Sequence, residues 1–244
     1  MFKKIIFSVF IIAISLPTNA QSWWGNSKKV KGNGNVITVE RNTTDYDGIG
    51  VGGSFDVILV KGTEGSIKIE GEENIIPYIE TEVKGNTLQI KYKKNTNIRT
   101  TKRLTVTVTI EDIDMISLGG SGNILSKEVI RAKDFKVSLG GSGNITLSIN
   151  SDEVRANIGG SGNIKLSGST EELSCSIAGS GSIKAYNLKT EELNANIAGS
   201  GSISTTVNNK IKAKIVGSGS IYYKGNASSI DKKSVGSGSI IDKN

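Results

Sequence analysis

The sequence predicts an all-β fold: a right-handed parallel β-helix, a solenoid of about 19-residue coils, with a less regular β region on its N-terminal side. Three observations carry the prediction. The phrase Gly-Ser-Gly-[Asn/Ser]-Ile starts at Gly120, Gly141, Gly160, Gly179, Gly199, Gly217 and Gly236, at intervals of 21, 19, 19, 20, 18 and 19 residues. Self-similarity at so regular a period marks stacked repeats. Apolar residues also hold fixed places around each phrase. Counting its first Gly as zero, position −2 runs Leu118, Leu139, Ile158, Ile177, Ile197, Ile215, and position −4 runs Ile116, Val137, Ala156, Cys175, Ala195, Ala213. Position −6 runs Phe135, Val154, Leu173, Leu193, Ile211, Ile230, and position +4 is Ile in all seven copies. A spacing of two places −2, −4 and −6 on one face of a strand. Finally, the residue after the turn is Asn123, Asn144 and Asn163, then Ser182, Ser202, Ser220 and Ser239. Like beside like suits amide and hydroxyl ladders between neighbouring coils.

The same parity admits a second arrangement, in which each copy is a hairpin closed by Gly-Ser-Gly, pairing −2 with +4 and −4 with +6. The ordered Asn and Ser positions favour the coil. In either arrangement the glycines are architectural. Gly120, Gly141, Gly160, Gly179, Gly199, Gly217 and Gly236 open each turn, and Gly122, Gly143, Gly162, Gly181, Gly201, Gly219 and Gly238 close it. Corners of this kind need a positive φ or a backbone approach that leaves no room for a Cβ. A phosphate-binding loop would want a Lys and a helix after the glycines, and here a strand follows.

In chain order, residues 1–20 read as a secretory signal. Lys3 and Lys4 form the charged region, Ile5 to Leu16 the apolar run, and Thr18-Asn19-Ala20 the cleavage site. The apolar run is too short to cross a bilayer as a helix. Residues 21–35 read as a flexible N-terminal arm carrying the adjacent Trp23 and Trp24, a pair of the kind that anchors at a membrane interface or stacks on sugar.

Residues 36–115 form the N-terminal β region. Strands are expected at Val36–Val39, at Gly52–Val60 with Phe55, Val57 and Leu59 on one face, at Ser66–Glu70, at Thr87–Tyr92 and at Leu104–Ile110. Between Asn74 and Glu82 there is room for one helical turn, kept short by Pro77. Whether this region continues the coils is left open by its irregular spacing. Residues 116–244 carry the seven repeats. The last copy has Lys232 and Ser234 in place of apolar residues and reads as a polar cap, which a solenoid needs to protect its open edge.

Composition narrows the chemistry. There is no histidine and a single cysteine, Cys175, so histidine-dependent nucleophilic and metal sites and an internal disulfide are excluded. Cys175 shares its position mostly with alanines and is expected in the core. Aromatics make up 5% of the chain, so the core must be built from Ile, Val, Leu and Ala. Glu171-Glu172 and Glu191-Glu192 recur with the repeat and read as exposed loops, and the Asp that a calcium-binding nonapeptide needs after its glycines is Asn or Ser here. Lys91, Tyr92, Lys93, Lys94, Arg99, Lys102 and Arg103 form a basic stretch that is the candidate ligand contact, suited to phosphate or uronate groups.

The repeated Gly-Ser-Gly-Asn-Ile, the Gly53-Ser54-Phe55-Asp56-Val57 strand and the Val83-Lys84-Gly85-Asn86-Thr87-Leu88 turn resemble the auto-transporter adhesin head GIN domain family of exported bacterial proteins. The resemblance covers roughly Asp45 to Tyr223. It implies an all-β, β-helical fold and a cell-envelope setting, and it brings no catalytic residues. The expected function is a non-enzymatic exported scaffold for adhesion or envelope-ligand binding, located in the periplasm, at the outer membrane or outside the cell. No cofactor and no nucleic-acid partner are expected. The expected partners are an envelope polysaccharide, a host surface or a second copy of the chain. The alternative is a carbohydrate-active β-helix enzyme, a lyase or hydrolase working through carboxylates or lysine.

Overall fold

The computed structural model describes residues 27–244. The expected signal segment, Trp23 and Trp24 lie outside the described residues. The strands are β1 (Lys28–Lys31), β2 (Val36–Asn42), β3 (Gly48–Gly53), β4 (Asp56–Lys61), β5 (Ser66–Glu72), β6 (Ile79–Lys84), β7 (Thr87–Tyr92), β8 (Thr96–Arg99), β9 (Thr105–Ile110), β10 (Met115–Gly120), β11 (Asn123–Gly141), β12 (Asn144–Gly160), β13 (Asn163–Gly179), β14 (Ser182–Gly199), β15 (Ser202–Gly217), β16 (Ser220–Lys224), β17 (Ser229–Val235) and β18 (Ser239–Asp242). A 3-10 turn, Ile76–Tyr78, holds Pro77 in its first turn, where the missing N–H has no helical partner to lose.

The repeats are coils of a β-solenoid and not hairpins. A hairpin would pair each copy with itself, antiparallel. Instead each copy pairs parallel with the next, Gly120 beside Gly141, Gly141 beside Gly160 and so on to Gly199 beside Gly217. Each coil from β11 to β15 is one strand that bends round the core and is interrupted only at Gly-Ser-Gly. Coil lengths are unequal, and bulges absorb the difference. The register shifts between Leu125 and Val129, Lys165 and Ser167, Ala185 and Lys189, and Thr190 and Glu192, and the first three fall on the stretch of strand that follows the turn.

Period two sends every second side chain inward, and parallel register then stacks equivalent residues about 4.8 Å apart. The clearest column is Val106, Val57, Ile124, Ile145, Ile164, Ile183, Ile203, Ile221. All of these are at most 1% exposed. Each such side chain contributes roughly 1.5–3 kcal/mol of apolar burial, so a single repeated isoleucine per coil is a large fraction of the folding energy.

The N-terminal β region belongs to the same stack. β3 and β4 are joined by Ser54-Phe55 and pair with β10 and β11, setting Gly53 beside Gly120, Asp56 beside Asn123 and Val57 beside Ile124. Gly52-Gly53-Ser54-Phe55-Asp56-Val57 is therefore a degenerate copy of Gly119-Gly120-Ser121-Gly122-Asn123-Ile124. β7 and β9 form a further rung on its outer side. Sequence order and stacking order differ here, because β3 sits between β7 and β10. Antiparallel strands close that end: β6 lies on β7, β5 on β9, and β2 on β5. Arg41 stitches them, its guanidinium donating to the carbonyls of Ile79 at 2.6 Å and Ile76 at 2.9 Å.

The expectation of a flexible arm over 21–35 needs correction from Lys28 onward. β1 pairs parallel with β8, and the N–H of Gly34 donates to Glu72 at 2.7 Å. The buried Glu72 carboxylate also accepts the N–H of Thr101 at 2.8 Å, its hydroxyl at 2.5 Å and the N–H of Lys102 at 3.3 Å. At the other end β17 is exposed along its length. Lys232, in an otherwise apolar position, lays its ammonium 4.8 Å from the centre of the Tyr223 ring and donates to its hydroxyl at 3.1 Å, closing the core with a cation over an aromatic.

Candidate functional site

Every glycine of the phrase is forced by the coil above or below it. Gly160 has φ +142°, and a Cβ there would stand 2.5 Å from the Gly141 carbonyl oxygen. Gly181 would meet the Gly162 oxygen at 2.6 Å and an Ile158 methyl at 2.7 Å. The turn amides are spoken for as well: Ser161 and Gly162 donate to Gly141 at 2.9 and 3.0 Å, and Asn163 to Gly143 at 3.0 Å. With its donors consumed by the neighbouring coil, the turn offers no cradle for an anion.

Beside the turns runs a polar ladder. The Asn163 amide donates to Asn144 at 3.0 Å, Asn144 to Asn123 at 2.9 Å, and Asn123 to Asp56 at 2.6 Å. Arg103 ends the ladder with Nε 2.7 Å from the Asp56 carboxylate. The hydroxyls of Ser182 and Ser202 continue the column at 2.9 Å.

The strand leading into each turn presents a second outward column: Gln89, Gly50, Ser117, Ser138, Asn157, Ser176, Asn196, Lys214, Lys233. At about 4.8 Å per step it extends on the order of 40 Å. From Ser117 to Asn196 its side chains are short and polar, and a hollow of about 100 Å³ lies there among Arg155, Asn157, Ser174, Ser176, Asn194 and Asn196.

The basic stretch does not assemble into one patch. Lys91 is held by Glu82 at 3.1 Å and Glu80 at 4.0 Å, and it lines a groove with Lys93, Lys94 and Lys84. Tyr92 turns partly inward, edge-on to Phe55 with ring centres 5.3 Å apart, and burial raises its phenol. Arg103 belongs to the ladder. Arg99 lies apart from these, on β8 beside Lys31. The physical reason is alternation together with the pairing of β8 with β1, which draws Arg99 off the solenoid while Arg103 stays on it.

That pairing creates a group that sequence reasoning missed. Lys29, Lys31, Asn97 and Arg99 share the exposed face of the β1–β8 ribbon around a groove of about 350 Å³. The signal was the alternation of Lys29-Val30-Lys31 and Asn97-Ile98-Arg99, legible only once the two are known to pair.

The remaining candidates are not gathered into one site. Cys175 is 1% exposed between Ala156 and Ala195, and burial pushes its thiol up to about 12. Glu171 and Glu191 are exposed, and Glu192 meets only Lys210 at 3.6 Å. Among the described residues no group of three acidic or cysteine side chains is placed to hold a metal.

Known proteins place this architecture. The chain is similar to a crystal structure described as a "putative adhesin" from Bacteroides fragilis, at 25% identity and a TM-score of 0.83, over 88% of this chain and 100% of that one. It is also similar to a "putative lipid binding protein" from Parabacteroides distasonis, at 30% identity and a TM-score of 0.75, over 89% of this chain and 100% of that one. An adhesin-like protein from Parabacteroides merdae, at 24% identity and a TM-score of 0.72 over 89% and 100%, shares the fold. No curated protein matches the chain. The family profile "Putative auto-transporter adhesin, head GIN domain" matches residues 45–227, and the chain belongs to that head GIN domain family.

Proposed function

We propose that the protein is an exported, non-enzymatic component of the cell envelope whose rigid solenoid presents its outer surface for adhesion or envelope-ligand binding. The observation that carries this reading is the outward column of Ser and Asn from Ser117 to Asn196 on five successive coils, next to an amide ladder that fixes its neighbours. Such a surface costs little side-chain entropy when covered, since its residues are short. Its donors and acceptors repeat at a spacing suited to a repetitive partner.

The family description and the adhesin-like and lipid-binding descriptions of its structural relatives support an envelope role. The signal-like N-terminal sequence supports export. The absence of histidine from the sequence, the core position of Cys175 and the exposed, repeat-bound carboxylates support a binding role over catalysis.

The test is an array of envelope glycans, lipids and host-matrix proteins probed with the full chain, with product assays run in parallel. Retention of a ligand without turnover is expected. Release of unsaturated or reducing sugars from a uronate polymer, abolished by an Asp or Glu substitution, would replace this reading with the enzymatic one.

A further inference from the structure

The geometry points to the outward face of the β1–β8 ribbon as the surface that meets an anionic membrane, with Lys29, Lys31 and Arg99 taking the phosphate groups of lipid headgroups. This rests on the envelope-ligand reading and gives it a site and a chemistry.

The ribbon is a two-stranded parallel sheet of its own, separate from the solenoid sheet. Its register sets Lys29 opposite Asn97 and Lys31 opposite Arg99. Period two then divides the side chains. Val30 and Ile98 pack against the core, while Lys29, Lys31, Asn97 and Arg99 are exposed on the other face. Positions two apart on a strand are about 6.6 Å apart and opposite positions about 4.8 Å. All three cations therefore lie within about one Debye length of each other at physiological salt and act as one charge cluster.

Three other cations of this end have carboxylate partners. Lys84 and Lys91 lie on Glu82, and Arg103 on Asp56. No carboxylate of the described residues lies within ion-pair distance of Lys29, Lys31 or Arg99. The buried Glu72 carboxylate lies near the end of the ribbon but is bonded to Gly34 and Thr101 and pairs with none of the three cations, so their mutual repulsion on the exposed face remains for an external anion to relieve. The guanidinium supplies a planar fork for phosphate, the two ammonium groups supply point charges, and Asn97 adds amide donors. The bond from Lys28 N–H to Asn95 O brings the turn bearing Lys93 and Lys94 to the start of the ribbon, which broadens the positive field.

The ribbon is only four residues long in each strand. That length matches two or three adjacent headgroups and is short for tracking a polysaccharide chain. In the sequence Trp23 and Trp24 stand four residues or so before this cluster, and tryptophan beside lysine is the composition of a membrane-interface anchor. The polar column of the solenoid remains free for a second partner.

The experiment uses the full chain, a ribbon variant (K29Q/K31Q/R99Q) and a charge-matched control on the solenoid, off its polar column (K184Q/K189Q/K212Q). All six positions are exposed, and matching circular dichroism and melting confirm folding. Co-sedimentation is measured with vesicles of phosphatidylcholine alone and of equal parts phosphatidylcholine and phosphatidylglycerol. The N-terminal apolar run contributes equally to every protein compared. The expected result is tighter binding to the mixed vesicles, weakened by salt. At about fivefold per cation near an anionic surface, the ribbon variant loses on the order of a hundredfold and the control much less.

Equal losses in the two variants, or none in the ribbon variant, would overturn the assignment. Displacement of vesicles by polygalacturonate at matched charge would reassign the site to a polymer. Displacement by inorganic phosphate at similar affinity would reassign it to a free anion. If the parent ignores vesicles yet retains an arrayed glycan, the ribbon proposal falls and the scaffold reading stands. If it retains nothing, both fall.

Discussion

The side-chain amide of Asn144 donates to the side-chain Oδ1 of Asn123 at 2.9 Å, and its own Oδ1 accepts from the Asn163 amide at 3.0 Å. The three residues belong to successive coils, 21 and 19 positions apart in the chain. That contact is available only if equivalent residues stack, and it converts a pattern of letters into a column of bonds.

Asn144 makes two ladder bonds and Asn163 is bound within the amide column to Asn144 alone. Asn144→Ala should therefore cost about twice as much as Asn163→Ala. At this exposed site each bond is worth about 0.5 kcal/mol, the low end of the usual range. Urea unfolding of the two variants checks the order. Equal effects would mean that solvent replaces the ladder without loss.

Gly160 and Gly159 are neighbours with opposite expectations. Gly160→Ala forces a side chain onto φ +142° and against the Gly141 carbonyl, and should cost about 3 kcal/mol or more. A Cβ at Gly159 meets nothing within 4 Å, and the equivalent positions are already Ala178 and Ala198. Gly159→Ala should lie within about 0.5 kcal/mol of the parent. Thermal melts of the two alanine variants decide the matter.

Glu72 gives the N-terminal end a pH dependence. Burial pushes its carboxyl up, but the bonds from the Thr101 hydroxyl and from the N–H groups of Thr101, Gly34 and Lys102 outweigh that and bring it down to about 2, from an ordinary 4.5. A depressed carboxyl stabilises the fold above its unfolded value, and the stabilisation is lost as pH falls from about 4.5 toward 2. Glu72→Gln should be less stable than the parent at neutral pH and should converge with it in that acid window. Unfolding measured from pH 7 to pH 2 tests this. Parallel curves throughout would remove Glu72 as the cause.

Cys175 should be silent until the solenoid opens. With its thiol enclosed and pushed up to about 12, labelling by a thiol reagent at pH 8 should track global unfolding and not local access. Cys175→Ala, matching its neighbours Ala156 and Ala195, should cost under about 1.5 kcal/mol. Rapid labelling of the folded protein would contradict the packing described here.

The coil period, the inward columns, the glycine corners and the amide order were all determined by the sequence. Each is a local consequence of repeating the same residue types at a nearly constant interval. Even the degenerate copy at Gly52–Val57 was written there, obscured because Phe55, Asp56 and Val57 stand for Gly, Asn and Ile.

Only the tertiary structure decided which strands become neighbours when no period links them. The placing of β3 between β7 and β10, the closing of that end by antiparallel strands, and the pairing of β1 with β8 depend on long-range packing. So does the dispersal of the basic stretch. Alternation tells which way a side chain points within its own strand, but which residue lies opposite is set by the partner strand, and nothing local encodes that partner.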